Sequence, residues 1–347
     1  MNALNVVLPL GSSVLSFAFA AMVFDQWWQR RKAFQLVWAI GLLWYGISAG
    51  CEFIGGAFGW SEPLYRVWYL TGGIFVAAYL GAGSVYLLSK TRFGYFVGVT
   101  FVLGGTLSLA AIRTYPGSTT AGTITFAVAA IGGAAVIAAT AVRRPLAAHI
   151  AMGVLVIGSI VVAYMTLTAT LTPPGWAVDG TTHVPLGTAF PGYVRVVLLP
   201  FNIAGGLCLI FGAMYSAYVY MPKHKVLRAK VKMPVLAQLY GAAAVAVNLV
   251  TSLPGATKAL FEGRLNSRVP ATLMIALGAS IPGVTTGLSR FGITWAVFLG
   301  QFLGVLLIFA GFLVSEEVFK NIRFGATLWS RRISETTLEA EAGASGD

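Results

Sequence analysis

Long apolar runs separated by short polar segments repeat along most of the chain. A helix needs about 20 consecutive apolar residues to cross a bilayer, and seven runs of roughly that length fill the first part of the sequence. Two further runs follow near 269–289 and 292–315. The pattern predicts an all-α polytopic transmembrane helix bundle of about nine spans. The first seven runs lie near 4–24, 34–57, 66–88, 93–112, 123–142, 147–171 and 191–221.

Every second loop between these runs is basic. The loop at 25–33 holds Arg30, Arg31 and Lys32, whereas the loop at 172–190 contains no lysine or arginine. Positively charged loops are retained in the cytoplasm when membrane helices insert. We therefore expect the N-terminus to lie outside the membrane and the C-terminus to lie in the cytoplasm.

The apolar stretch at 234–253 differs from the other runs, because it is rich in alanine and is flanked by Pro234 and Pro254. If this stretch does not cross, more of the basic residues stay on the cytoplasmic side. We therefore expect 234–265 to be re-entrant or interfacial. The expected organisation is a seven-span bundle at 1–221, a basic cytoplasmic loop with this segment at 222–268, a two-span hairpin at 269–315 and a polar cytoplasmic tail at 316–347.

The composition agrees with a membrane protein and excludes several soluble classes. Apolar residues make up 57% of the chain and charged residues only 10%, against about 25% charged residues in an average soluble domain. This excludes a soluble enzyme, a disordered protein and a free nucleic-acid binder. The net charge of +12 follows from the basic loops. The expected partners are the lipid bilayer and its anionic headgroups, with no nucleic acid.

Motifs of familiar enzyme classes do not occur in the sequence. The chain has no HExxH, GxSxG or P-loop pattern, and its three histidines do not pair at helical spacing within a span. Cys51 and Cys208 both fall inside apolar runs, which favours two free buried thiols over a disulfide. We expect no enzymatic activity, no catalytic residue, no metal site and no cofactor.

Glu52 is the strongest candidate for a functional residue, because an ionisable side chain inside a span is costly to bury. It lies about six residues from the outer end of the second span, so about 9 Å deep at 1.5 Å per residue. Arg66, Arg113 and Arg195 lie on the same side. Arginine suits carboxylate and phosphate groups, so these four residues predict an outward polar cup for an anionic or amphipathic ligand. The alternative is a structural ion pair of Glu52 with Arg66 or Arg195.

Prolines within two spans are candidates for hinges or kinks. Pro200 is followed by Asn202 in the seventh span, and Pro282 lies in the eighth run. A proline inside a membrane helix frees a backbone carbonyl, which can line a cavity or simply be satisfied locally. Both interpretations, a moving hinge and a static kink, stay open at this point.

Glycine is frequent, with 41 residues, and small residues allow membrane helices to pack closely. Gly300 and Gly304 in the last span form a small-xxx-small pair. This pair predicts either helix packing within the chain or the seam of a homo-oligomer, and another membrane protein is also a possible partner. We expect Gln301, between these glycines, to hydrogen-bond across helices.

Three segments resemble uncharacterised bacterial multi-span membrane proteins: RVWYLTGGIFVAAYLGAGSVYLL at 66–88, GGLCLIFGAMYSAYVY at 205–220 and ITWAVFLGQFLGVLLIFAGFL at 293–313. The seven-span part is also loosely similar to the membrane input modules of bacterial sensor proteins. These resemblances imply a multi-pass protein of a bacterial inner membrane and assign no residue roles. The leading functional expectation is a receptor-like protein that binds a small ligand. The alternatives are an ion-coupled secondary transporter and a structural subunit of a membrane complex.

Overall fold

The computed structural model describes residues 4–221, 226–227, 234–262, 268–289 and 291–314. Within these ranges the chain forms helices and no strand, as the hydropathy pattern predicts. The helices are α1 Leu4–Arg30, α2 Ala33–Phe58, α3 Glu62–Leu70, α4 Val76–Leu87, α5 Phe93–Ala111, α6 Thr119–Val142, α7 Arg144–Thr168, α8 Gly192–Val197, α9 Leu199–Tyr220, α10 Pro234–Phe261, α11 Arg268–Ser289 and α12 Val297–Val314.

About nine helical segments of the described chain are long and apolar enough to cross a membrane. Two of them are composite, since α3 and α4 are joined into one span and α8 and α9 into another. Large apolar side chains are exposed on the outside of this bundle, including Ile131, Ile157 and Ile160, each at least 67% exposed. Such a surface is suited to lipid. The all-α class of the prediction is therefore confirmed, and the chain has the architecture of a multi-pass membrane protein.

The segment 169–191 lies at one end of the bundle, which we call the loop end. Tyr65, near the start of the third span, donates a hydrogen bond to the Leu186 carbonyl. Asn5 of α1 donates to the Thr182 carbonyl, and the Thr182 hydroxyl donates to the Thr294 hydroxyl at 2.8 Å. The starts of α1, α3 and α12 therefore meet at this end.

The opposite end of the bundle, which we call the basic end, carries Lys90, Arg92, Arg143 and Arg144. Its two short connections, α4–α5 and α6–α7, contact each other because Arg144 Nη1 donates to the Lys90 carbonyl at 3.4 Å. The two ends differ in charge as the alternation of basic loops requires. Which end faces the cytoplasm stays a prediction.

Glycines bring several helix pairs into backbone contact. A Cβ added at Gly205 of α9 would lie 2.6 Å from Ala78 Cα of α4, and one at Gly98 of α5 would lie 2.6 Å from the Gly133 carbonyl oxygen of α6. Only residues without a side chain permit such approaches. The fold is thus built from tightly packed pairs of neighbouring spans.

The glycine pair of α12 is used for packing within the chain. A Cβ at Gly304 would meet Pro282 and the Gly278 carbonyl oxygen of α11, and one at Gly300 would meet Thr285 of the same helix. Of the two predicted uses of this pair, the structure shows the intramolecular one. These glycines therefore face α11 in the folded chain, and a homo-oligomer through the last span stays a prediction.

Helix α10 packs mainly against α5 and α9 and contacts the first turn of α11. Leu249 and Ala256 of α10 form a buried cluster with Met221, which follows α9, and with Val269 in the first turn of α11. Asn248 Oδ1 accepts the backbone N–H groups of Val226 and Leu227 at 2.8 and 2.9 Å. This arrangement agrees with a segment that does not cross, which stays a prediction.

Two of the spans are interrupted. The third span contains a π-helical turn, Thr71–Phe75, between α3 and α4, and the seventh span changes helix at Leu198, two residues before Pro200. The eighth run behaves differently, because α11 continues through Pro282. A break at Pro282 is therefore absent, while a kink or hinge there stays a prediction. The basic loop at 222–232, apart from 226–227, and the tail at 316–347 lie outside the described residues.

Candidate functional site around Glu52

Glu52 lies in the last two turns of α2, and only 2% of its surface is exposed. Two neutral donors from other spans bind one of its carboxylate oxygens. Trp68 Nε1 of α3 donates to Glu52 Oε1 at 2.9 Å, and Gln301 Nε2 of α12 donates to the same oxygen at 3.1 Å. Glu52 therefore joins three spans. The expectation that Gln301 hydrogen-bonds across helices is confirmed.

An aromatic cluster at the loop end fixes the Trp68 indole. The ring of Trp68 lies 5.9 Å from that of Trp60 and 5.3 Å from that of Tyr65. Tyr65 in turn stacks on Phe190 at 5.4 Å, which belongs to the segment that covers this end. Gly55 makes the cluster possible, because a Cβ there would collide with the Trp60 indole. The donor to Glu52 is thus held by packing on several sides.

Glu52 Oε2 and Gln301 Oε1 are buried and have no hydrogen-bond partner in the described part of the chain, and the same holds for Ser12 Oγ and Ser16 Oγ of α1. Buried polar groups are normally hydrogen-bonded, and leaving one unpaired costs about 1–3 kcal/mol. Glu52 Oε2 and Gln301 Oε1 therefore retain hydrogen-bonding capacity that the described residues do not use.

The two serines lie on the face of α1 that points between α2 and α12. Ser13 Oγ donates to the Gly46 carbonyl of α2 at 2.9 Å, and a Cβ at Gly11 would lie 3.0 Å from Phe302 of α12. Ser12 and Ser16, four residues apart, occupy the helix face between these two contacts. Both are fully buried. Their side chains consequently lie on the face of α1 directed between α2 and α12, the two helices that carry Glu52 and Gln301.

The arginines predicted to share a cup with Glu52 make other contacts. Arg66 forms an ion pair with Glu62 at 2.6 Å, and its guanidinium donates to the carbonyls of Thr166 and Ala169 at 2.6 Å each. It thereby closes the C-terminus of α7, whose last carbonyls lack partners within the helix. The structural alternative of a Glu52–Arg66 ion pair is therefore wrong.

Arg195 and Arg113 lie apart from the carboxylate as well. The Arg195 guanidinium stacks over the ring of Tyr115 at 4.3 Å, and Arg113 is exposed. Across the described residues, no lysine, arginine or histidine nitrogen lies within 4 Å of the Glu52 carboxylate. A Glu52–Arg195 ion pair is thus also absent. A ligand-binding role of Arg66, Arg113 and Arg195 stays a prediction.

Asn202 has a defined partner that the sequence did not reveal. Its Nδ2 donates to the Gly73 carbonyl at 2.7 Å, inside the π-helical turn of the third span. A π-helical turn leaves a carbonyl without its usual helical partner, and Asn202 supplies the missing donor. Pro200, two residues earlier, packs against α5, since a Cβ at Gly104 would lie 2.6 Å from Pro200 Cα. The interruptions of the third and seventh spans are therefore bound to each other.

Asp179, in the segment that covers the loop end, is held by a local network. Its Oδ1 accepts the Thr182 N–H at 2.7 Å and the Thr181 and Thr182 hydroxyls at 2.7 and 2.8 Å. These hydrogen bonds, led by that of the Thr182 N–H, hold the pKa of Asp179 well below its usual range. The carboxylate therefore orders the loop.

Comparisons of the chain with protein-family models, with curated proteins and with solved structures find no match. The resemblance to bacterial multi-span proteins and to sensor input modules stays a prediction. The functional argument consequently depends on the geometry around Glu52.

Sequence reasoning identified Glu52 and missed most of its surroundings. Trp68 belongs to an aromatic group that resembles an interfacial belt, so its role as a donor is invisible in the sequence. Ser12 and Ser16 carry a usable signal, since their spacing of four residues places two hydroxyls on one face of an apolar helix. A search for polar residues at helical spacing inside spans would have found them.

Proposed function

We propose that this multi-pass membrane protein binds a proton or a small monovalent cation at Glu52 and belongs to the class of ion-coupled carriers. One observation carries the proposal. The Glu52 carboxylate is 2% exposed and has one unpartnered oxygen, with no cationic side chain within 4 Å among the described residues.

The physical argument starts from the cost of a buried charge. An isolated carboxylate in an apolar medium is so unfavourable that it takes up a proton or pairs with a cation. Trp68 and Gln301 bind one oxygen only. A proton on Oε2 needs an acceptor, and a cation needs further oxygen ligands. Gln301, whose Nε2 already binds Glu52, has an unpartnered Oε1 that suits either requirement.

This geometry favours a cation over the anionic ligand expected from the sequence. Intramembrane carboxylates that face a bundle interior mark ion pathways and proton relays. Glu52 lies toward the loop end, and the predicted orientation puts that end outside, so in this proposal the ion enters the site from the outer side of the membrane. Release of the bound ion to the cytoplasmic side would complete transport.

The experiment compares Glu52→Gln with the matched variant Glu62→Gln, purified in lipid nanodiscs. Glu62 is 47% exposed and pairs with Arg66, so its variant also removes one carboxylate but leaves the buried site intact. We would measure the melting temperature across pH and in sodium, potassium and ammonium chloride. Ion flux into proteoliposomes would follow for any ion that stabilises the protein.

We expect at least one ion, or the proton, to shift the melting temperature of the wild type and of Glu62→Gln, because a ligand of the folded state stabilises by mass action. Glu52→Gln should be insensitive to that ion. An ion response of equal size in Glu52→Gln would overturn the proposal, as would the absence of any response in the folded wild type.

A receptor-like function is the second candidate, because the Arg195 guanidinium could bind an anionic ligand. Its guanidinium is half-buried against Tyr115 and has no acidic group within 4 Å among the described residues. A small anion arriving at the loop end would find a free charge there. Stabilisation by carboxylates or phosphates that is lost in Arg195→Ala but kept in Glu52→Gln would favour this function. The role of a structural subunit has no specific observation in its support.

A further inference from the structure

A cleft with an apolar lining lies between α4, α5, α7 and α9. Its walls include Ala78 and Ala82 of α4, Phe101 of α5, Val154 of α7 and Phe201 of α9. Ala82, Phe101, Val154 and Phe201 are only half-buried, so the cleft communicates with the surroundings of the bundle. It contains none of the residues around Glu52 and is therefore a separate feature.

Small residues on two sides create the cleft. Helices α4 and α9 are in backbone contact where Gly81 meets Gly205, and α5 contacts α9 where Gly104 meets Pro200. These contacts hold α4, α5 and α9 together. Alanine and glycine residues of α4 and α9 line the inner side of the cleft. Helix α7 packs mainly on α6 and only lightly on α4 and α5, so it forms the fourth wall without filling the space.

One end of the cleft reaches the basic end of the bundle. Val85 lines it two residues before α4 ends, and Val97 lines it four residues after α5 begins. Close to this point Tyr86 Oη lies 3.1 Å from His149 Nδ1, and His149 is exposed. The hydroxyl and the imidazole share this hydrogen bond, and the exposed imidazole lies near this end of the cleft, its entrance.

The charge at this entrance is entirely positive. Lys90, Arg92, Arg143 and Arg144 are exposed on the two connections there. No aspartate or glutamate occurs between Glu62 and Asp179 or within α9. The α4–α7 helices and α9 therefore bring no acidic side chain that could pair with these four residues.

We propose that this cleft binds one acyl chain of an anionic phospholipid, whose phosphate lies against the basic end. On α9 the cleft extends from Pro200 to Cys208, about 12 Å at 1.5 Å per residue. Half of the hydrocarbon core of a bilayer is about 15 Å thick. The length, the apolar lining and the positive entrance thus agree with a lipid from one leaflet.

Two variants distinguish the binding of the acyl chain from the binding of the headgroup. Ala82→Phe fills the cleft, and Arg143→Gln with Arg144→Gln removes two of the charges at its entrance. Val128→Phe on α6, at a side chain that is 55% exposed, is the matched apolar control. Arg113→Gln, exposed at the other end, is the charge control. Ala82→Leu replaces Ala82→Phe if the larger variant does not fold.

The measurement is native mass spectrometry of purified protein titrated with phosphatidylglycerol or with phosphatidylcholine of the same chains. We expect the wild type and both controls to bind one phosphatidylglycerol at least tenfold more tightly than phosphatidylcholine. The cleft variant should bind both lipids weakly, and the charge variant should lose the preference. Equal affinity for the two lipids in the wild type, or unchanged binding in the cleft variant, would overturn the proposal.

Discussion

Single carboxylates in this protein take different roles according to what surrounds them. Glu62 is exposed and pairs with Arg66, whereas Glu52 is buried and receives only neutral donors. Asp179 lies in a loop and accepts four hydrogen bonds at one oxygen. The same functional group therefore pairs with an arginine at a helix start, joins three spans through neutral donors or orders a loop.

The depressed pKa of Asp179 predicts a pH dependence of stability. Its pKa is lowered in the folded state relative to about 3.9 in an unfolded chain. The carboxylate therefore stabilises the fold above about pH 4, and this contribution is lost as the pH falls through the lower folded value. Asp179→Asn should lower the melting temperature at pH 7 and flatten its decrease below pH 4.

The measurement is thermal unfolding in nanodiscs between pH 2 and pH 7. Thr182→Val is the matched variant, because it keeps the charge and removes one hydroxyl donor to Asp179. It should show part of the effect of Asp179→Asn at pH 7. Identical acid profiles of Asp179→Asn and the wild type would show that the hydrogen bonds do not stabilise the ionised form.

Pairs of helical elements are held together by backbone contact rather than by large side chains. Helix α9 approaches α4 through Gly205, and it reaches the π-helical turn of the third span through Asn202. In lipid, helices associate through close van der Waals packing and interhelical hydrogen bonds. The third and seventh spans therefore form a rigid unit in which the two interruptions support each other.

Neighbouring glycines on α9 test this packing. Gly205→Val should destabilise the protein by about 1–3 kcal/mol, because overpacking forces backbone shifts where a Cβ would lie 2.6 Å from Ala78 Cα. Gly206→Val is the matched control, since a Cβ at Gly206 meets nothing within 4 Å. Melting temperatures in detergent and nanodiscs would show the difference. Equal values for the two variants would contradict the role of the Gly81–Gly205 contact.

At the scale of the molecule, the two ends of the bundle differ in chemistry. The loop end carries aromatic rings and the segment 169–191, and the basic end carries four exposed lysine and arginine side chains. Positive charge is retained in the cytoplasm during insertion. The predicted orientation therefore places the loop end outside, and α10 beside the cytoplasmic ends of α9 and α11.

Cysteine labelling tests this topology, because Cys51 and Cys208 are both free and buried and should not react. In intact cells, an impermeant maleimide should label Gly180→Cys at the exposed loop end and leave Lys90→Cys unlabelled. Val226→Cys and Lys258→Cys, before and near the end of α10, should both react only after permeabilisation. Labelling of these two positions from opposite sides would show that α10 crosses.

Hydropathy and loop charge by themselves predicted the helical class, the approximate number of spans and Glu52 as the exceptional residue. These properties depend on local sequence, since a span is recognised by about 20 neighbouring apolar residues. The interruption of the seventh span next to Pro200 could likewise be predicted, because proline lacks the N–H that a helix requires.

Only the tertiary structure decided which groups surround Glu52. Its two donors lie 16 and 249 residues away along the chain, and they meet only because three helices pack together. The sequence also offered Arg66 as an ion-pair partner for Glu52, but Arg66 pairs with Glu62, four residues away. Contacts between spans depend on the rotation and depth of each helix. Those are set by glycine-mediated packing, which a one-dimensional pattern does not contain.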